Sequence, residues 1–422
     1  MEIKEVNVII GPQGAGKSVT TKLIYYFNDI WKEFFACSEE GQSFIEFKKA
    51  LLKKFNNWFP REAWGPSRFK ITFTNGPIVI DFWRRMSRKG ANPDPRLTIS
   101  AWLEEVYGFA LKTYQEALNS NETDPAHAML ASRSFDWEMR IRSIIIDRLN
   151  KDLQEKYFDQ QTFIPAGRAF FTSIGRLVAG IEHGNSLDPV TLKFARIFAS
   201  WRDQSFRYIM SGTELNEYSI VCENIMNSLF GGRVHSKRDA EYIEMPDGRK
   251  VPFWSLSSGQ QELIPIWFFL ANTLFIDAMS NKYRRERDPS RHLVYIEEPE
   301  AHLFPSAQSA LLESLIANVV GEKTNRNLII TTHSPYIISQ LNIFLKAGNL
   351  ARRKKRNQDI HAVVNRKCWL RTDSLSAWSL EDGVLKSLID PEEQLIDAHY
   401  LDAVSDTISE TFNMLLDIES SL

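Results

Sequence analysis

The chain has 422 residues, of which 43% are hydrophobic and 25% charged, and a formal net charge of −2. That length allows a large buried core in two or three lobes, and the composition is that of an ordinary soluble globular protein. The near-neutral balance excludes a globally basic nucleic-acid coat. Three scattered cysteines (Cys37, Cys222, Cys368) without a C-x-x-C pair argue against a disulfide framework or zinc site and for a cytoplasmic location.

Val6-Asn7-Val8-Ile9-Ile10 predicts a short buried strand, so early that no signal peptide is expected before it. It runs straight into Gly11-Pro12-Gln13-Gly14-Ala15-Gly16-Lys17-Ser18, a complete G-x-x-x-x-G-K-[ST] pattern. Val19, Leu23, Ile24 and Phe27 recur at helical spacing after it. Phe69–Phe73 and Ile78–Phe82 flank Asn75-Gly76-Pro77 and predict strand, turn, strand. From Thr98 to Phe158 the period is helical, with Ile141, Ile144, Ile145, Arg148, Leu149 and Leu153 on one stripe.

Phe163-Ile164-Pro165-Ala166-Gly167-Arg168 predicts a strand ending in a turn, and 172 to 230 read as mostly helical. Tyr242–Met245 and Lys250–Phe253 flank Pro246-Asp247-Gly248 as a hairpin. The apolar run from Leu263 to Ile276 holds Pro265, Asn272 and Thr273, and reads as too short and too polar to cross a bilayer, so no membrane partner is expected. Leu293–Ile296 and Leu328–Thr331 predict buried parallel strands joined by a crossover helix over Ala307–Val320. The expected fold class is α/β, a mixed sheet around the phosphate loop with an inserted helical lobe or short arm. The expected divisions are 1–82 (head, first part), 83–160 (helical insert), 161–350 (head, second part) and 351–422 (C-terminal extension).

Four motifs carry chemistry. In the loop, glycines let backbone N–H groups wrap phosphates, and the following helix turns its positive end toward them. The binding set is Gly11, Gln13, Gly14, Ala15, Gly16, Lys17, Ser18 and Val19. Lys17 would reach the β- and γ-phosphates of ATP, and Ser18 would ligate Mg²⁺. In Leu256-Ser257-Ser258-Gly259-Gln260-Gln261, small residues open a helix, so Ser257, Ser258, Gly259 and Gln260 could contact an anion; the plainer alternative is a serine N-cap. At Glu297-Glu298-Pro299-Glu300, ending a buried strand, Glu297 takes the metal role and Glu298 that of general base, against the alternative of a solvated acidic turn. His333 follows the next core strand, where it can hydrogen-bond a γ-phosphate or the attacking water. The motifs occur once each, in the order expected of a single ATPase head.

These residues resemble the ABC-type heads of SMC-like and OLD-like ATPases. Glu297 to Pro305, E-E-P-E-A-H-L-F-P, is similar to the OLD-like D-E-P-E-x-H-L-H-P box, with Glu297 in place of aspartate and Phe304 in place of the second histidine. The longer Glu297 implies an indirect metal contact and slow turnover. Phe163 to Arg168 resembles the family's Y-I-P-A-x-R stretch, while no Q-loop glutamine stands out, since Gln160 and Gln161 precede a strand. The tail from Trp369, with Ser374-Leu375-Ser376-Ala377-Trp378 and Ile396-Asp397-Ala398, resembles the ATPase subunits of PARIS-type anti-phage systems. That resemblance implies a homo-oligomeric ATPase restraining a separate TOPRIM nuclease until a phage-encoded trigger is sensed.

In heads of this class, the phosphate loop of one copy meets the signature of another, so a dimer at least is implied. The alternative is an SMC-like DNA-repair ATPase contacting DNA through Arg352–Arg356 or Lys282–Arg287. The stripe at Ile141–Leu153 is too short for that class's long coiled coils. A nuclease within this chain is excluded, because no D-x-D pair follows His333. A transporter subunit is disfavoured by the extended helical insert.

Overall fold

The computed structural model describes residues 1–64, 68–85, 95–122, 135–174, 187–210, 216–237, 240–282, 291–320, 324–352, 357–397, 410–416 and 419. The chain divides into two compact units, Met1–Thr21 with Thr162–Leu422, and Lys22–Gln161. The described strands are β1 (Val6–Ile10), β2 (Phe69–Asn75), β3 (Ile78–Arg84), β4 (Arg96–Ile99), β5 (Gln160–Ile164) and β6 (Arg233–Lys237). They continue with β7 (Ala240–Glu244), β8 (Lys250–Pro252), β9 (His292–Glu297), β10 (Arg326–Thr332), β11 (Leu375–Glu381) and β12 (Val384–Ser387).

The first unit is built on a six-stranded sheet of order β12-β11-β1-β10-β9-β5. The pairs β11–β1, β1–β10 and β10–β9 are parallel, and only the edge strand β12 is shown antiparallel to its neighbour. All five residues of β1 are buried, as are all but the first of β9 and β10. Strands covered on both faces read as unbroken apolar runs, which is why these three were legible in sequence. Helices Ser258–Lys282, Pro305–Val319 and Pro335–Arg352 supply Ile264, Phe268, Leu311, Leu315, Ile337 and Leu341 to the same core as Val8, Val294 and Ile330.

The segment expected as an extension beyond the head supplies two strands of this sheet, and β11 lies directly beside β1. Its far end backs the phosphate loop: a Cβ on Gly11 would stand 2.5 Å from the Leu380 carbonyl oxygen. Gly11→Ala should therefore push loop and strand apart, costing about 1–3 kcal/mol and weakening nucleotide binding. Thermal melting and titration with a fluorescent ATP analogue would check both.

Helix Ser258–Lys282 corrects the expectation drawn from its apolar run. Its segment Ser258–Met279 is, by length and composition, long and apolar enough to cross a membrane, with mean hydropathy 1.4. Yet 61% of its apolar 18-residue window is buried inside the protein, and a helix apolar on all sides is what a core demands. A small antiparallel sheet, β6-β7-β8, precedes it; β7 and β8 form the expected hairpin, while the short β6 was not foreseen.

The second unit begins at Lys22, not at 83, and is not purely helical. Its sheet β2-β3-β4 is antiparallel, with Asn75 paired to Ile78 across a turn in which Gly76 takes φ +58°. Thr98 and Ile99, read as opening a helix, belong to β4, whose four residues are too few to declare a period. Helices Ile30–Glu39, Phe44–Trp58, Ala101–Glu122 and Phe135–Leu153 share one core with this sheet. It is rich in aromatic rings, with Phe55 stacked on Phe82 at 4.1 Å and Phe47 on Tyr107 at 4.9 Å. Of the expected stripe, Ile141, Ile145, Leu149 and Leu153 are buried, whereas Ile144 is 52% exposed.

His292 opens β9 with Nε2 2.9 Å from Thr162 Oγ1. Burial, with the Arg326 charge adding to it, lowers its pKa to about 4. The folded protein thus binds this proton less readily than the unfolded chain. The associated stability is complete above the unfolded value near 6.5 and is lost as pH falls toward about 4, on the order of 2 kcal/mol for a ring not wholly enclosed. His292→Gln should flatten that part of the pH–stability profile in urea unfolding.

Candidate nucleotide site

β1 delivers the loop with Gly14 at φ +78° and Gly16 at φ +102°, angles at which any side chain would be strained. Helix Lys17–Asn28 begins immediately after. Gln13, Ser18 and Val19 are exposed, Ala15 is half-buried and Lys17 is buried. The Lys17 ammonium donates to the carbonyls of Gly11 (2.8 Å) and Pro12 (2.9 Å). Burial pulls the Lys17 pKa down, while Glu298, Glu300 and Glu297 oppose that shift.

The strand order brings the distant motifs to this lysine. β10 runs between β1 and β9, so His333, one residue past β10, stands between Lys17 and Glu298. Its Nδ1 is 3.5 Å from Lys17 Nζ, and its Nε2 is 3.0 Å from Glu298 Oε1. A neutral imidazole with its hydrogen on Nε2 satisfies both contacts, accepting from the ammonium and donating to the carboxylate. Glu298 sits at φ +43°, a costly angle for a glutamate, and its N–H donates to the Thr331 carbonyl at 2.9 Å. Glu298 follows the last residue of β9, and in this conformation its carboxylate meets the histidine.

Glu297, last in β9, is buried, and each of its oxygens accepts a hydrogen bond, Oε1 from Thr21 Oγ1 and Oε2 from the Ala166 N–H, both at 3.2 Å. Glu300 Oε1 accepts from Thr332 Oγ1 and the His333 N–H, both at 2.7 Å, tying the acidic turn to the histidine loop. Its Oε2 is buried with no hydrogen-bond partner among the described residues.

Sequence reading gave no role to Thr21, Glu300 or Arg168. Arg168 is fully buried and acts as a clamp. Its guanidinium donates to the carbonyls of Glu297 (2.8 Å), Glu298 (3.2 Å), Pro299 (3.3 Å), Pro165 (3.2 Å) and Glu262 (3.0 Å). Burial lowers its pKa, and Glu262, Glu300, Glu297 and Glu298 hold it charged. The available signal was the I-P-A-G-R run, which only the family resemblance marked.

The signature joins the acidic box instead of the loop. Ser257 caps helix Ser258–Lys282: its Oγ accepts from the Gln260 N–H at 3.3 Å, and Gln260 Oε1 accepts from the Ser257 N–H at 3.3 Å. The plainer N-cap role is thus present in the geometry. Ser258 opens the helix, and a Cβ on Gly259 would stand 2.6 Å from the His302 carbonyl. Gln160 and Gln161 open β5. Of the two basic runs, 353–356 and 283–287 lie outside the described residues.

These residues fit a nucleoside triphosphate with a divalent cation. The glycine angles leave a loop without Cβ obstruction, and an oxygen of Glu300 is left unsatisfied among carboxylates that bear on Lys17. Lys17, Ser18 and the loop N–H groups would hold the phosphates, with Glu297 and Ser18 serving the cation.

Among solved structures, the chain is similar to one titled "Crystal structure of the SmcHead bound to the C-winged helix domain of ScpA", at 14% identity. That match covers 90% of this chain and 89% of the other, with a TM-score of 0.35. No curated protein sequence matches. Residues 6–339 match the family described as "AAA domain, putative AbiEii toxin, Type IV TA system". That span contains the phosphate loop, signature, acidic strand end and histidine, and the chain belongs to this AAA-domain family of P-loop ATPases.

Proposed function

We propose that this chain hydrolyses ATP slowly at a site shared between two copies, and that the cycle restrains or releases a separate effector. The observation that carries the reading is the Lys17–His333–Glu298 chain at the ends of three adjoining strands. Lys17 and the loop N–H groups bind the triphosphate, and Glu298 accepts the proton of the attacking water while His333 fixes its carboxylate. Bound Mg²⁺ supplies charge neutralisation on the phosphates. Glu297, holding two protein hydrogen bonds, serves the hydrated cation less directly than an aspartate would, which favours a switch over a motor.

Ser257, Ser258, Gly259 and Gln260 complete the site of the neighbouring copy, because small residues at a helix start offer N–H groups to an anion. The effector is most readily a TOPRIM nuclease held in check for anti-phage defence. Two things support this: the resemblance to PARIS-type and OLD-like ATPases, and a family description naming a toxin and a toxin–antitoxin system. Such a role belongs in the cytoplasm.

A mixing experiment tests the shared site. Lys17→Ala and Ser258→Arg should each lose hydrolysis alone. Mixed, they should regain up to about a quarter of the activity, since half the assemblies are mixed and half their sites intact. No recovery in a mixture shown to co-assemble would overturn the two-copy reading. The effector claim fails if co-expression with a TOPRIM nuclease neither yields a complex nor lowers its activity.

A further inference from the structure

The second unit carries a surface that the ATPase reading does not use. In β2-β3-β4, burial alternates strictly: Phe69, Ile71, Phe73, Ile80 and Phe82 face the core, while Lys70, Thr72, Thr74, Arg96 and Thr98 are exposed. Register lines Lys70, Trp83 and Arg96 up side by side across the three strands. Trp83 is half-buried, and the guanidinium carbons of Arg85 and Arg96 each lie 5.3 Å from its ring centroid.

At this end of the sheet is a groove of about 500 Å³ lined by Arg68, Lys70, Arg84 and Arg85 against one carboxylate, Asp81. That carboxylate is already engaged, accepting from Thr72 Oγ1 at 2.6 Å and pairing with Lys70 at 3.2 Å. These two bonds hold its pKa below the usual carboxylate range, with the Thr72 contact the larger cause, so it stays ionised and offsets part of the Lys70 charge. In a chain of net charge −2, Arg68, Lys70, Arg85 and Arg96 around Trp83 form a local exception, while Arg84 is buried on the core side over Phe69.

We infer that this sheet face binds single-stranded nucleic acid, with a base stacked at Trp83 and the flanking phosphates on Arg68, Lys70, Arg85 and Arg96. Three features select that occupant. Two guanidiniums over an indole make a platform of planar π-systems, and an unpaired base can stack on a guanidinium plane as on a ring. Among the described residues, exposed Thr72, Thr74 and Thr98 give the outer strands of this face short side chains. A duplex hides its base faces, so the indole would contribute nothing to binding it. An acidic protein would meet the cations but carries no unbroken run of flat π-faces to stack on the platform. The inference stands apart from the nucleotide site, which shares none of these residues.

The test is fluorescence anisotropy on the full chain with labelled dT20 and rU20, a 20-base-pair DNA duplex and polyglutamate, at two salt concentrations. The single strands should bind more tightly than the duplex and polyglutamate, and affinity should fall roughly 20-fold between 50 and 200 mM NaCl for about three phosphate contacts. Comparing dT20 with rU20 shows whether DNA or RNA is preferred; binding of either supports the site.

Trp83→Ala should weaken binding by about 5- to 150-fold, the loss of one stacked base. Trp83→Phe should retain most of it. Lys70→Gln with Arg96→Gln alters exposed side chains only and should flatten the salt dependence, which keeps the test decisive if Trp83→Ala fails to fold. Undetectable binding of both single strands, duplex or polyglutamate binding equal to theirs, or unchanged affinity in the double glutamine variant would each overturn the proposal.

Discussion

Glu298→Gln should lower the rate of ATP hydrolysis by about 10²- to 10⁴-fold, the usual contribution of a positioned general base, while leaving ATP binding intact. Glutamine keeps the size of the side chain and the Oε1 contact to His333, 3.0 Å in the native protein. It also inherits the φ of +43°, fixed by the Glu298 N–H to the Thr331 carbonyl and by Arg168 on the Glu298 carbonyl. What it loses is the capacity to take a proton. The substituted protein should accumulate ATP-bound assemblies, visible as a larger species by light scattering with ATP and not with ADP. His333→Ala should give a smaller loss, because Glu298 stays in place but is no longer oriented. Hydrolysis within a few-fold of normal in Glu298→Gln would show that the base is another group.

The largest effect on stability is expected at Arg168. Arg168→Met removes the donor to five carbonyls and leaves the 2%-exposed Glu262 carboxylate without the guanidinium 3.4 Å away. Breaking a buried ion pair from one side costs about 3–5 kcal/mol, a large part of a typical total stability. A fall in melting temperature of roughly 5 °C follows. Arg168→Lys retains the charge but not the planar fork that reaches several acceptors at once, and should fall between. Adding Glu262→Leu to Arg168→Met should restore part of the loss by removing the stranded charge. A melting temperature unchanged in Arg168→Met would refute the clamp.

The clamp also explains what sequence could and could not show. Glu297, Glu298 and His333 were legible because each ends or follows an unbroken apolar run, and such runs mark buried parallel strands with sharp carboxyl ends. The loop was legible because glycines followed by Lys-Ser have few other uses. Arg168, Thr21 and Glu300 were not, since each acts through a partner more than a hundred residues away or through a turn only the fold closes. β4 and β6 escaped notice because each is short and broken by charged or polar residues, so neither reads as an apolar run or establishes a period. The apolar helix Ser258–Lys282 was underestimated because Pro265, Asn272 and Thr273 looked like interruptions, whereas a core helix packed by neighbours tolerates them.

By itself, the sequence determined the parts of this protein: a phosphate loop after a buried strand, a serine-rich helix start, an acidic strand end and a histidine, in that order. These depend on local chemistry, on glycine's freedom, on apolar continuity and on which side chains can hold a phosphate or a proton. Tertiary structure decided their adjacency. β10 lies between β1 and β9, and β11 closes on the far side of β1, so His333 comes to link Lys17 with Glu298 while Leu380 backs Gly11. Strand order is set by which apolar faces and backbone hydrogen bonds can be satisfied together across hundreds of residues. No periodicity within a single segment encodes that choice.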